Sequence, residues 1–268
     1  MSRLRLAKIA TPSAPPATTC ELFYSLTDLQ LEAIDENGNI LRLGPFLTSG
    51  TSGYRLIRVF MITASGTYTP TAGARAVYAE CIGGGGGGGG AKATSANASV
   101  GGGGGAGSYS ASFLTSLAAN YTVTIGAGGG GGAAGAVGSP GNDTTFGSAM
   151  TAKGGSGGGA GTTAGTTTIN AAGGAGGVAG TGDFTVPGQM GLQGLVISGT
   201  FACTGGGGSG IWGGGIASEW SSSTTHAGIT PTAPGCGGEG GLNVGGGALS
   251  AVNGGTGAPG IVRVWEFA

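Results

Sequence analysis

The only histidine, His226, sits in the most chemically varied stretch of the chain, seven residues after Glu219 and close behind Ser221, Ser222 and Ser223. Serine, histidine and carboxylate are the ingredients of a nucleophilic hydrolase. Such a triad is defined by three-dimensional geometry, however, and this spacing alone implies none. A loop histidine that faces solvent or contacts a ligand is the expectation. Charged residues make up only 8% of the sequence, too few to suggest the carboxylate pair of a glycosidase. The nearest stretch to a phosphate loop, Gly90-Ala-Lys92-Ala-Thr94, lacks the glycine before the lysine and the hydroxyl directly after it. Cys20, Cys81, Cys203 and Cys236 show no CxxC or CxxH spacing, so buried free thiols are expected rather than a zinc site. No catalytic residue, metal or cofactor is expected.

Binding chemistry is better represented. Residues 211–234 hold Trp212, Trp220, Glu219 and His226 in a setting of serine, threonine and glycine, and residues 183–204 add Phe184 and Phe201. An exposed tryptophan offers a large, rigid contact area at low entropic cost, useful against a sugar ring or a protein surface. These six residues are the candidate binding set. For Trp212, which abuts glycines, packing against the protein's own side wall is the competing expectation.

What must position these residues is mostly glycine. Of 68 glycines, 62 lie between residues 83 and 260, about one residue in three, and Gly83–Gly90 is an unbroken run of eight. Glycine in a regular element costs roughly 0.5–1 kcal/mol relative to alanine, so an ordered glycine-rich region needs a compensating gain. Disorder is the simplest alternative, but 39% hydrophobic residues and a mean hydropathy of +0.23 argue against it. The gain available is close backbone approach. A left-handed helix of three residues per turn has no internal hydrogen bonds, so its amides and carbonyls point outward. Several such helices can bond side by side if the facing positions carry no Cβ. The fold class expected is therefore mostly β and irregular: a small β base plus a layered bundle of polyproline-II-like (polyglycine II) helices, with no long α-helices. Pure glycine runs suit the centre of the bundle, and blocks broken by Ala, Ser or Val suit its faces.

Charge is unevenly placed. Thirteen of 21 charged residues precede residue 83 and six lie between 83 and 260, with a net charge of −1 and a pI near 5.7. No basic footprint for nucleic acid is present. No apolar run approaches the length of a membrane span, and Lys8 interrupts the apolar stretch that a signal peptide would need. Synthesis in a cytoplasm is the expectation.

In chain order, alternation over residues 3–9, short apolar runs at 22–25 and 29–34, the turn Asp35-Glu36-Asn37-Gly38 and a return over 39–43 predict a small β module. Residues 1–46 form an attachment or oligomerisation module, 47–55 a linker, and 56–268 the glycine-rich domain. Strands are expected at 56–63, 75–82, 109–114, 121–125 and 261–267, with a tight hairpin around Gly147. The small module is expected to associate with copies of itself or a larger partner.

Several segments match a known family. Phe60-Met-Ile-Thr-Ala-Ser-Gly-Thr-Tyr-Thr-Pro70 leads into Ala76-Val-Tyr-Ala-Glu-Cys-Ile-Gly-Gly-Gly85. Tyr121-Thr-Val-Thr-Ile-Gly-Ala-Gly-Gly-Gly130, Gly141-Asn-Asp-Thr-Thr-Phe-Gly147 and Gly257-Ala-Pro-Gly-Ile-Val-Arg-Val-Trp265 follow in order. Over residues 56–268 the chain resembles the glycine-rich domain proteins of bacteriophage tail fibres and tail tips. Leu22-Phe-Tyr24 and Ala33-Ile-Asp-Glu-Asn-Gly38 resemble short modules of tail proteins. The resemblance implies a non-catalytic, adhesin-like virion protein that binds a bacterial surface receptor, protein or polysaccharide, through loops between the glycine helices. It transfers no individual contact residue. The other partners implied are tail or fibre proteins docking on the N-terminal module, with a homotrimer as one assembly open to it. The alternative is a structural virion spacer with no receptor contact; a flat, ice-ordering Thr/Ala face would need a threonine period that Thr166–Thr168 is too local to supply. If the helices run up and down from the base, residues 91–100, 133–139 and 162–172 fall at the tip, and 211–234 is expected at or near it.

Overall fold

The computed structural model describes the backbone of residues 8–9, 21–25, 31–34, 40–42, 54–94, 97–164, 169–223, 225–244 and 250–268, and the side chains of 54–94, 97–162, 170–223, 225–244 and 250–268. The chain divides into two compact units, Met1–Tyr54 and Arg55–Ala268. In the first, β1 (Lys8–Ile9), β2 (Glu21–Ser25), β3 (Leu31–Ile34) and β4 (Ile40–Arg42) form one sheet in sequence order. β1 and β2 are parallel, and the later pairs antiparallel. The connector at 11–19, the Asn-Gly turn and the 47–53 linker lie outside the described residues.

The second unit is all β and irregular, with no helix among the described residues. One end is a β-sandwich. Its larger sheet comprises β5 (Leu56–Ile62), β7 (Ala76–Ile82), β9 (Tyr109–Leu114), β15 (Phe184–Val186) and β21 (Ile261–Phe267), ordered β15-β9-β7-β21-β5. The smaller comprises β6 (Gly66–Tyr68), β10 (Tyr121–Thr124), β11 (Thr144–Phe146) and β12 (Met150–Ala152), ordered β12-β11-β10-β6. Period-two alternation sends Val77, Ala79, Cys81, Val262 and Val264 inward against Tyr68, Tyr121, Val123, Phe146 and Met150. Phe146 is fully buried and stacks on Tyr121 at 4.7 Å. Gly147 (φ +54) turns the β11–β12 hairpin in a conformation other residues resist.

From the sandwich the glycine runs rise as a hydrogen-bonded bundle. Gly83, Gly86 and Gly89 donate to the carbonyls of Ser108, Gly105 and Gly102. Gly84, Gly87 and Gly90 donate to Asn142, Ser139 and Ala136, while Gly85, Gly88 and Ala91 donate to Ala258, Gly255 and Val252. The bond partner thus changes at every residue and recurs every third, which places one run inside a ring of neighbours. The amides and carbonyls of each run bond outward to neighbouring runs, and the facing positions leave no room for a Cβ. Residues 83–91 and 101–108 are buried throughout, whereas in 171–177 every third residue is buried and the others reach the surface. A Cβ on Gly86 would stand 2.0 Å from the Ser156 carbonyl oxygen, and one on Gly103 1.9 Å from that of Gly206, distances no real Cβ tolerates.

The opposite end is not made of loops alone. β8 (Ala98–Val100), β13 (Thr163–Ala164), β19 (Thr225–His226) and β20 (Leu242–Asn243) form a sheet ordered β13-β8-β20-β19. β14 (Ile169–Ala171), β16 (Gly194–Ser198), β17 (Phe201–Cys203) and β18 (Trp220–Ser221) form another, ordered β14-β16-β17-β18. A separate core of Ala98, Val100, Val196, Ala202, Leu242 and Val244 joins them. Residues 98–100, 163–164 and 169–171, read as tip loops, are therefore strands at this far end. Alternation over two or three small residues between glycines is too short to register as a strand. Cys81, Cys203 and Cys236 are free and buried, and Cys20 lies outside the described side chains.

Candidate functional site

The far end gathers four of the six candidate residues. In the second of its sheets, Cys203 pairs with Trp220 and Leu195 with Cys203, so these residues share a face, and Phe201, two positions before Cys203, joins it. Phe201 and Trp220 stack with ring centres 5.6 Å apart and planes 27° apart. Both stay exposed, Trp220 at 57% and Phe201 at 37%, and Ile197 at the bulge of β16 is exposed beside their strands. At the opposite edge of this sheet Asn170, paired with Leu195, donates to Gln193 at 3.0 Å. The result is a small aromatic surface on an ordered sheet.

Immediately beside Trp220, Glu219 meets His226. The imidazole Nδ1–H donates to the Ala227 carbonyl, and Nε2 lies 2.9 Å from Glu219 Oε2 and 3.8 Å from Glu239 Oε1. The Glu219 contact is an ion-pair distance rather than an aligned hydrogen bond. Glu239 is fully buried within the glycine run 237–241. Its Oε1 accepts from Thr204 Oγ1 at 2.6 Å and its Oε2 from the Ile229 amide at 3.1 Å. Thr204 Oγ1 in turn accepts from the Glu219 amide at 2.8 Å. Burial pushes the Glu239 carboxyl above its ordinary range, against the lowering effect of these hydrogen bonds and of His226. Nδ1 is taken by the Ala227 carbonyl, while Nε2 is buried without an aligned hydrogen-bond partner and faces two carboxylates.

The other two candidates belong to the sandwich end. Phe184 opens β15 opposite Ala111 and meets Tyr109 edge-on at 6.2 Å. Trp212 packs against the cluster of Ile82, Tyr109, Ala111 and Ile261, with the Arg263 guanidinium 4.3 Å above its ring. The expectation that 211–234 lies as a whole at the tip is thereby corrected. Gly205–Gly210 descends along the bundle, Trp212 caps the outer face of the large sheet, and residues 214–219 climb back, Gly215 against Gly207 and Glu219 against Thr204. Trp220 is also part of a strand rather than a loop.

Sequence reasoning missed Glu239. Its signal was a lone carboxylate inside Gly237-Gly-Glu-Gly-Gly241, where neighbouring glycines imply burial and a buried charge needs a partner. At the sandwich end, grooves of 290 Å³ (lined by Arg58, Phe60, Ile62 and Tyr68 among others) and 220 Å³ (lined by Tyr109, Val186 and Ile211 among others) contain none of the six candidates.

A family model for a glycine-rich domain matches residues 62–265. No curated protein matches the chain.

Proposed function

The chain belongs to the glycine-rich domain family, and we propose that it is a non-catalytic bacteriophage protein of the tail fibre or tail tip that binds a bacterial surface receptor through the far end of its glycine bundle. The observation that carries this reading is the stacked, exposed Phe201–Trp220 pair on an ordered sheet, with Ile197 exposed beside it. Exposed aromatics concentrated on a rigid frame are what a binding surface needs, because little entropy remains to be lost on contact. A structural spacer, the second role open to such a bundle, has no use for them. Phe184 and Trp212 leave the candidate receptor set, and Glu219 and His226 remain in it as neighbours of Trp220.

On this reading the N-terminal unit docks on other tail or fibre proteins, and the protein works in the virion after synthesis in the host cytoplasm. Adsorption of the purified chain to whole cells tests the proposal. Truncating a central contact aromatic typically costs about 2 kcal/mol or more, roughly thirtyfold in affinity. Trp220→Ala is expected to lower adsorption by at least about tenfold with melting nearly unchanged. Full adsorption by that variant removes this surface from the site. Comparing intact cells with cells stripped of surface polysaccharide then separates a sugar receptor from a protein one.

A further inference from the structure

The glycine region carries few charges, yet two of its carboxylates and the chain's single histidine converge on one spot. That spot is a joint. Glu219 directly precedes β18, the edge strand of one far-end sheet, and His226 belongs to β19, the edge strand of the other. Glu239 approaches both from the glycine bundle, and Thr204 links it to the Glu219 amide. The two sheets are thus tied at their edges by an imidazole between carboxylates, and the strand so tied carries Trp220.

The hydrogen count fixes what this tie requires. Nδ1 faces a carbonyl and so carries a hydrogen. Nε2 faces carboxylate oxygens at 2.9 and 3.8 Å, so a second hydrogen must sit on Nε2 or on one of the carboxyl groups. Without it, a nitrogen lone pair confronts two carboxylates in a partly buried site, and all three groups repel. Glu239 has no other cation near it among the described residues. Cys203, the titratable neighbour on β17, adds no negative charge, since burial pushes its thiol up and keeps it neutral. The raised carboxyl of Glu239 points the same way, towards a cluster that holds its proton.

We infer that Glu219, His226 and Glu239 form a proton-dependent clasp that closes the edge of the far end and sets Trp220 for binding, so that receptor attachment weakens as pH rises. The clasp rests on the receptor reading above only in its consequence for binding; its effect on Trp220 is independent of any receptor. Losing the proton opens the β18–β19 edge and lowers the fraction of protein with the aromatic pair in place. If that fraction falls to about a tenth, apparent affinity falls about tenfold.

Because the chain has one histidine, imidazole NMR signals report His226 alone. Fluorine-labelled tryptophan, with the Trp220 signal assigned by its loss in Trp220→Phe, reports the aromatic pair. Titrating the full chain from about pH 5 to about pH 9 should move the Trp220 signal with the same midpoint as the His226 signals. Host adsorption should fall about tenfold over that range. In Glu219→Gln the neutral amide donates to unprotonated Nε2, so the Trp220 signal should stay constant. In His226→Gln it should also stay constant. A Trp220 signal that ignores the His226 titration in the unaltered protein, or that still follows pH in both variants, overturns the clasp. Adsorption that stays flat while Trp220 follows His226 supports the clasp and overturns the receptor reading.

Discussion

The two ends of the glycine bundle solve one problem with different materials. A glycine run has no side chains with which to build a core, so each end must supply one. The sandwich end does so with long alternating strands and large residues, Tyr68, Tyr121, Phe146 and Met150 meeting a wall of valines. The far end does so with strands of two to five residues around a core of alanine, valine and one leucine. Their buried carboxylates differ as well. Glu80 and Glu266 are surrounded by donors: Tyr109, Arg263 and Trp265 for the first, Tyr68, Thr71 and Arg58 for the second. Both are held below the ordinary carboxyl value despite burial. Glu239 has fewer donors and is raised. The sandwich is built to stay closed, whereas the far end balances burial against charge.

The comparison presumes a rigid bundle between the ends, and breaking the bundle has the largest expected effect. Gly86→Val and Gly103→Val should yield no folded protein, because a Cβ about 2 Å from a carbonyl oxygen cannot be absorbed between contacting backbones. Gly130→Ala is the control: the nearest atom to its Cβ is Ser139 Oγ at 3.9 Å. Its melting should change by less than about 1 kcal/mol. Normal melting of either valine variant would dispose of close backbone packing as the source of stability.

The next largest effect separates the two cores. Phe146→Ala removes a fully buried ring and should cost about 3–5 kcal/mol, lowering the melting of the whole second unit. Leu242→Ala should cost less, about 2–3 kcal/mol, and should appear first as faster amide exchange in β8, β19 and β20 with the sandwich amides still protected. Equal loss of protection at both ends in the Leu242 variant would mean that the unit unfolds as one piece and that the far end has no stability of its own.

The sandwich end was largely legible in the sequence, and the reason is strand length. Tyr109–Leu114 and Ile261–Phe267 are long enough for their alternation to stand clear, and Gly141–Gly147 carries its own turn signal. Glycine centrality was also legible, because an unbroken run has no side chain to present to a surface. The far-end strands were not, since Ala98–Val100 and Trp220–Ser221 are too short to show a period. Chain direction misled as well. In sequence, residues 211–234 read as a single loop at one place, whereas Trp212 and Trp220 stand at opposite ends of the bundle because residues 214–219 climb its length. Hydrogen-bond partners recurring across distant segments carry no sequence signature, so the meeting of Thr204, Glu219, His226 and Glu239 could emerge only from the fold.

The smallest expected effect is also the sharpest test of the contrast, because the two ends should respond to pH with opposite sign. For Glu80 and Glu266 the folded state holds the proton more weakly than the unfolded chain does. Their contribution is complete above the ordinary carboxyl value of about 4.5 and is lost as pH falls through the lower folded values. For Glu239 the folded state holds the proton more tightly, so its contribution is complete below about 4.5 and is lost as pH rises through the raised folded value. A difference of one unit between folded and unfolded states corresponds to about 1.4 kcal/mol, small beside the core substitutions. Amide exchange, corrected for its intrinsic pH dependence, resolves the ends separately. Acidification should loosen β7 and β21 while tightening β17, β18 and β19, and a rise in pH should do the reverse. Replacing Glu239 by Gln should weaken the far-end dependence, which Glu219 and His226 still carry, and leave the sandwich untouched, and Glu266→Gln should weaken only the sandwich dependence, which Glu80 still carries. If both ends moved together with pH in the unaltered protein, the division between a closed sandwich and a proton-sensitive far end would fail.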